Sequence, residues 1–101
     1  MVSFSGGKDR ILADCPPDKA FWVSNGVTCR NIFELTEIIS KLSDYSFKYH
    51  VNRDHKKNDF ADWIRNVLGD DVLAERLHAV RDKDPYIDVI KERIGELKNQ
   101  Q

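Results

Sequence analysis

The chain has 101 residues, the size of one domain. Hydrophobic residues make up 41% and charged residues 33%, which excludes both a disordered chain and a membrane-embedded one. Lys and Arg number 16 against 17 Asp and Glu, so the formal net charge is −1, without the basic excess typical of proteins that hold a phosphate backbone. No apolar run approaches the ~20 residues of a membrane helix, and charges at Lys8, Asp9 and Arg10 interrupt any signal peptide. We therefore expect a cytoplasmic protein.

The two cysteines, Cys15 and Cys29, are 14 positions apart, a spacing that matches no zinc or redox motif. One disulfide between them is possible, but a cytoplasmic chain would keep both thiols reduced. Cys29 lies in a strand-like run, so we expect it to be a small buried hydrophobic residue.

Residues 1–19 read as an irregular N-terminal lead, punctuated by Gly6-Gly7 and Pro16-Pro17. We expect this lead to be partly mobile and the core to begin near Ala20, so that residues 20–99 form a single helical domain with a hairpin. The strand formers of residues 21–23 and 27–28 flank Asn25-Gly26, which predicts a β-hairpin with a tight turn.

Helical periodicity begins after the hairpin. Asn31 is a predicted N-cap with Glu34 three residues on, and Glu37 and Lys41 form a favourable i,i+4 pair. The apolar stripe of this helix comprises Leu35, Ile38, Ile39 and Leu42. Ser43 ends that helix or caps the next, whose segment 44–51 also offers an Asp44–Lys48 pair.

Residues 52–57 are polar and predict a loop. Asn58 or Asp59 caps the following helix, which Gly69 ends. Its stripe comprises Phe60, Trp63, Ile64, Val67 and Leu68. Asp70 and Asp71 begin another helix, where the helix dipole favours negative charge. These patterns predict a mainly α fold, a small bundle of four to five helices with one N-terminal β-hairpin. Trp22, Phe60 and Trp63 are expected in its core.

The last helix is predicted to open at Asp84-Pro85, with proline in its first turn. Its apolar stripe comprises Ile87, Ile90, Ile94 and Leu97. The stripe is too short to dimerise alone as a coiled coil, and packing within the domain is favoured. It could also meet a partner or a second copy, and these four residues therefore join the candidate interaction surface.

The densest polar stretch is residues 48–57, which carry four basic residues and one acidic residue, a local balance of +3. Residues 58–101 carry seven basic and ten acidic residues, a balance of −3. A local positive patch can contact phosphate or an acidic partner, although a solvated loop explains it more simply. The candidate interaction residues here are His50, Asn52, Arg53, His55, Lys56 and Lys57.

Histidines also raise the possibility of a metal site, since His50, His55, His78 and Asp59 could converge in the fold. Two histidines five residues apart are no metal signature by themselves. The simpler expectation is a His50 that packs or hydrogen-bonds across the loop and a His55 in solvent. We assign no catalytic, cofactor-binding or metal-ligating residue and expect no cofactor.

A pattern across residues 21–77 resembles a small uncharacterised domain family, prokaryotic and largely archaeal, with no assigned function. The residues that carry it are Phe21, Gly26, Leu35, Phe47, His50-Val51, Asn58-Asp59-Phe60, Trp63-Ile64, Asp70, Leu73-Ala74 and Leu77. The resemblance implies a cytoplasmic prokaryotic protein and brings no active site with it.

The leading hypothesis is a non-enzymatic protein–protein interaction or regulatory module that binds a protein partner or a second copy of itself. The small size, balanced charge and spare apolar stripe favour it. A weak nucleic-acid-binding module that uses the basic loop at 48–57 is the alternative, although the net charge of −1 disfavours nucleic acid as a partner. A metal-dependent enzyme comes third. No membrane association is expected.

Overall fold

The computed structural model describes residues 8–23, 26–52 and 57–99. Five helices from α2 to α6 form a small bundle, with an antiparallel β-hairpin ahead of them, as the sequence predicts. The helices are α1 (Lys8–Ile11), a 3₁₀ turn (Pro17–Lys19), α2 (Ile32–Lys41), α3 (Asp44–His50), α4 (Asp59–Trp63) with a π-helical turn (Ile64–Leu68), α5 (Asp71–His78) and α6 (Lys83–Lys98). The strands are β1 (Phe21–Trp22), β2 (Thr28–Cys29), β3 (Val51–Asn52) and β4 (Lys57–Asn58).

Side-chain caps begin α2, α3, α4 and α5. Asn31 Oδ1 accepts a 2.7 Å hydrogen bond from the backbone N–H of Glu34, which confirms the predicted cap of α2. Ser43 caps α3 through its hydroxyl oxygen. Of the two candidates for α4, Asn58 is the cap, and Asp59 is the first helical residue. Asp59 is thereby left to make contacts outside the helix.

The helix that follows Asn58 ends at Gly69, as predicted, but only after a π-helical turn that the sequence did not indicate. Gly69 has φ +83°, a left-handed conformation that glycine adopts without strain. Its N–H donates to the carbonyl of Ile64, five residues back, at 2.8 Å. The Arg10 guanidinium lies against Gly69 and donates to the Val67 carbonyl at 3.1 Å. A side chain from α1 thus covers the end of this turn.

Two short hairpins accompany the helices. In the predicted one, β1 pairs with β2 in the register Phe21↔Cys29 and Trp22↔Thr28, and Gly26 has φ +89°. Asn25, the other residue of the predicted turn, lies outside the described residues. The second hairpin pairs β3 with β4, in the register Val51↔Asn58 and Asn52↔Lys57. The expected loop at 52–57 is therefore bounded by a strand residue at each end.

The core begins earlier than Ala20, because Ile11 and Cys15 are also buried in it. The Cys15 N–H donates to the Arg30 carbonyl at 2.7 Å, and the Trp63 indole N–H donates to the Lys19 carbonyl at 2.8 Å. These contacts attach the N-terminal lead to the hairpin and to α4.

Helix α6 begins at Lys83, with Asp82 at the N-cap position, two residues before the predicted Pro85. It packs against α2 and α5. Lys48 lies 3.4 Å from Asp82 instead of forming the predicted pair with Asp44, whereas the predicted Glu37–Lys41 pair is present at 3.9 Å. Among the described residues, no helix is both long and apolar enough to span a membrane.

Candidate functional site

An open groove of ≈ 560 Å³, here called the Trp22 groove, lies where β1, the end of α3 and α4 meet. Strand β1 and the end of α3 form one wall, and α4 with its π-helical turn forms the other. The residues that line it are Phe21, Trp22, Tyr49, His50, Lys57, Asp59, Asp62, Trp63, Asn66 and Val67. Aromatic rings and carboxylates thus share one surface depression.

The floor of the groove is a polar pair, in which His50 is buried and Asp59 is half-buried. His50 Nδ1 lies 2.9 Å from Asp59 Oδ2, and the imidazole packs against the rings of Phe21, Tyr49 and Phe60. A carboxylate bonded to one ring nitrogen fixes the orientation of a histidine. The pair also joins the last residue of α3 to the first residue of α4. The expectation that His50 hydrogen-bonds across the loop is confirmed.

Lys57 forms an ion pair with the Asp59 carboxylate. Lys57 Nζ is 3.6 Å from Asp59 Oδ2 and 4.2 Å from the centre of the Tyr49 ring. An ammonium over an aromatic face is stabilised by the ring quadrupole. One cation is therefore already held in the groove between a carboxylate and an aromatic ring.

The π-helical turn shapes the opposite wall. Asp62 and Trp63 are on α4, while Asn66 and Val67 follow within the π-helical turn. Single π-helical turns inside α-helices are frequent at functional sites. The irregularity of this helix coincides with the lining of the groove.

Trp22 forms the rim, and its side chain is 74% exposed. The expectation that Trp22 lies in the core is wrong, whereas Phe60 and Trp63 are buried as predicted. The reason is the period of two along β1. Phe21 and Val23 face inward, so the residue between them faces solvent. Because residues 21–23 are all apolar, the sequence does not show which of them the alternation places in solvent.

A model of a family of unknown function, DUF5752, matches residues 21–98. The chain belongs to this family. The resemblance to an uncharacterised domain family over residues 21–77 is thereby confirmed and extended, because the family match also covers α6. No curated protein and no solved structure shows significant similarity to the chain.

The predicted interaction residues of this DUF5752 domain are not gathered in one place. His50 and Lys57 line the Trp22 groove, and Asn52 is the cross-strand neighbour of Lys57. Arg53, His55 and Lys56 lie outside the described residues. On α6, Ile87, Ile90 and Leu97 are buried and Ile94 is half-buried. The helix packs on α2 and α5, so the chain itself covers this stripe, which is the packing that the sequence favoured.

The described lining of the groove contains acid–base groups in His50, Asp59 and Asp62. This described lining contains no serine, threonine or cysteine next to the His50–Asp59 pair. His78 Nε2 lies 4.0 Å from Asp62 Oδ1, but the described residues include no group of three or more His, Cys, Asp or Glu side chains placed to hold a metal ion.

The two cysteines lie elsewhere, and both are free and buried. Cys29 is fully buried, as expected, and burial raises the pKa of its thiol to about 12. Burial also raises the pKa of Cys15. Because the thiolate is the reactive form, neither sulfur is poised for nucleophilic attack at neutral pH.

Proposed function

We propose that this DUF5752 domain is a non-enzymatic protein-interaction module whose binding site is the Trp22 groove. The observation that carries the proposal is the 74% exposure of Trp22 on a hydrogen-bonded strand. Tryptophan is the residue type most enriched among the side chains that dominate binding energy at protein interfaces. A tryptophan on the rim of a groove has the form of such an anchor.

The apolar area that a partner would bury on Trp22 supports its role as a binding anchor. A tryptophan buries on the order of 200 Å² when covered, and about 25 cal/mol is gained for each Å² of apolar area removed from water. Trp22 obtains little of this within the folded domain. Behind it, the His50–Asp59 pair and the half-buried Phe21 supply a floor that is already ordered. An ordered site reduces the entropy cost of binding.

The basic loop is a weaker candidate. Lys48 and Lys57, at the two ends of residues 48–57, lie within 4 Å of Asp82 and Asp59 respectively. Cations that are already paired with carboxylates of the same chain interact less favourably with phosphate. Nucleic-acid binding and metal-dependent catalysis therefore stay untested predictions behind the interaction module.

We also propose a cytoplasmic location, supported by the two free cysteines, since reducing compartments keep thiols unpaired. The prokaryotic, largely archaeal source implied by the resemblance stays a prediction.

The test begins with a photo-crosslinking amino acid placed at Asn66, an exposed residue of the groove lining, and at Val72 of α5 as a matched exposed control, so that Trp22 is kept. We expect one protein from a lysate of the source organism to crosslink from position 66 and not from position 72. The purified partner then decides the question. Trp22→Ala should weaken its binding by a factor of about 30, equivalent to the ~2 kcal/mol of an interface hot spot. Unchanged affinity in Trp22→Ala would refute the proposed site.

A further inference from the structure

We infer that the partner places an arginine side chain in the Trp22 groove, between the Trp22 indole and the Asp62 carboxylate. The inference rests on the proposed function and adds to it the chemistry of the partner.

The charge of the lining favours a cation. Among the described lining residues, two carboxylates, Asp59 and Asp62, face the groove with one ammonium, that of Lys57. Asp59 is already engaged on both sides, at 2.9 Å from His50 Nδ1 and 3.6 Å from Lys57 Nζ. Asp62 is 59% exposed, and its ion-pair neighbour, His78 Nε2, is 4.0 Å away. Asp62 is therefore the carboxylate that an incoming cation can reach.

The domain already shows how the groove binds a cation. Lys57 is held by one aromatic face, Tyr49, together with one carboxylate, Asp59. Trp22 and Asp62 are a second aromatic residue and a second carboxylate in the same groove. Within the described part of the chain, the Trp22 indole makes no side-chain hydrogen bond or ring contact. The second pair therefore has the same composition as the first, but no cation from the described residues lies over its aromatic ring.

Arginine fits this second pair better than lysine. Tryptophan is the strongest cation–π acceptor among the aromatic residues, and a planar guanidinium can stack on its face while its N–H groups donate to a carboxylate. The Asn66 side-chain carbonyl on the same wall offers another acceptor, and Val67 offers apolar contact to the aliphatic stem. An acidic side chain or a phosphate would instead meet two carboxylates.

The inference can be tested on the full chain before any partner is known. The side-chain N–H signals of Trp22 and Asn66 are followed by NMR while N-acetylarginine amide is added, and N-acetylcitrulline amide serves as the neutral isostere. We expect the arginine amide to shift both signals in a saturable manner and to bind at least about fivefold more tightly than the citrulline amide. The indole signal of Trp63, which is bonded to the Lys19 carbonyl, reports that the fold is intact.

Matched variants locate the cation. Asp62→Asn should weaken binding of the arginine amide by about fivefold, whereas Asp88→Asn, an exposed acid on α6, changes the net charge equally and should have no effect. Asp62→Lys should abolish the preference for arginine over citrulline.

Equal binding of the two amides, or equal effects of Asp62→Asn and Asp88→Asn, would overturn the inference. Its failure is distinguishable from failure of the proposed function. One outcome is that Trp22→Ala weakens binding of the purified partner while the two amides bind the groove equally. In that case the proposed interaction site stands and the inference of an arginine is wrong. If the arginine amide binds as expected but Trp22→Ala leaves partner affinity unchanged, the proposed interaction site is wrong.

Discussion

Replacing Asp70 with asparagine tests which of two adjacent acids holds the bundle together. Asp70 caps α5 by accepting a 3.1 Å hydrogen bond from the Leu73 N–H. Its carboxylate also accepts two bonds from Arg93 of α6, from Nε at 2.9 Å and from Nη2 at 3.2 Å. The Asp70 side chain is 1% exposed. Asp71, the next residue, is 81% exposed and lies 3.7 Å from Arg65.

The loss of stability expected for Asp70→Asn follows from these contacts. Asparagine caps a helix about as well as aspartate, so Asp70→Asn keeps the cap and removes the negative charge. Breaking one side of a buried ion pair costs roughly 3–5 kcal/mol. Arg93 keeps a second partner, Glu96, at 3.1 Å, so we expect the lower end, about 3 kcal/mol. Asp71→Asn should cost less than about 0.5 kcal/mol, because exposed pairs contribute little.

Urea unfolding followed by circular dichroism and tryptophan fluorescence measures both variants against the parent chain. We expect a large fall in the unfolding midpoint for Asp70→Asn and almost none for Asp71→Asn. Equal shifts in the two variants would contradict the reasoning, because both substitutions remove one acid from the same helix start.

Two further predictions concern buried groups. Asn58→Ala removes three hydrogen bonds, to the Ala61 N–H, the Tyr86 hydroxyl and the Leu77 carbonyl. It should lower the free energy of unfolding in urea by about 3 kcal/mol, whereas Tyr86→Phe, which removes one of these bonds, should lower it by about 1 kcal/mol. Equal losses in the two variants would contradict this. Burial raises the pKa of Cys29 to about 12, above its ordinary 9.0, so iodoacetamide at pH 9 should label it slowly in the folded chain and quickly in urea, as read by peptide mass spectrometry. The unfolded thiol loses its proton first, so this contribution to stability is complete below pH 9 and falls by roughly 1 kcal/mol per pH unit up to about pH 12. Equal labelling of folded and unfolded chains would refute the burial argument.

Local signals account for the parts of the fold that the sequence predicted well. The Asn31 cap, the Gly69 helix end and the first hairpin each depend on residues within a few positions of one another. Side-chain capping and left-handed glycine conformations act over that range, so one sequence is enough to identify them. The second hairpin was missed because Val51 is the one strand former among its four strand residues and because the sequence between the strands has no Asn-Gly turn signal.

The candidate site was predicted less well. His50 and Lys57 were chosen for their polarity and do line the groove, but Trp22 was assigned to the core. The aromatic wall comes from residues 21 and 22, and the acidic wall from residues 59 and 62, which are nearly forty positions away. Such a meeting depends on how β1 docks on α4, and no local pattern records it.

The sequence by itself determined the class of this protein, a helical domain with one leading hairpin, since helical and strand periodicities are written residue by residue. It also placed Asp70 and Asp71 at a helix start. Only the tertiary structure decided that Asp70 is buried against Arg93 while Asp71 stays in solvent. It likewise decided that the α6 stripe is covered and that Trp22 is exposed. In each case the burial of a side chain depends on which element, distant in the sequence, packs against it.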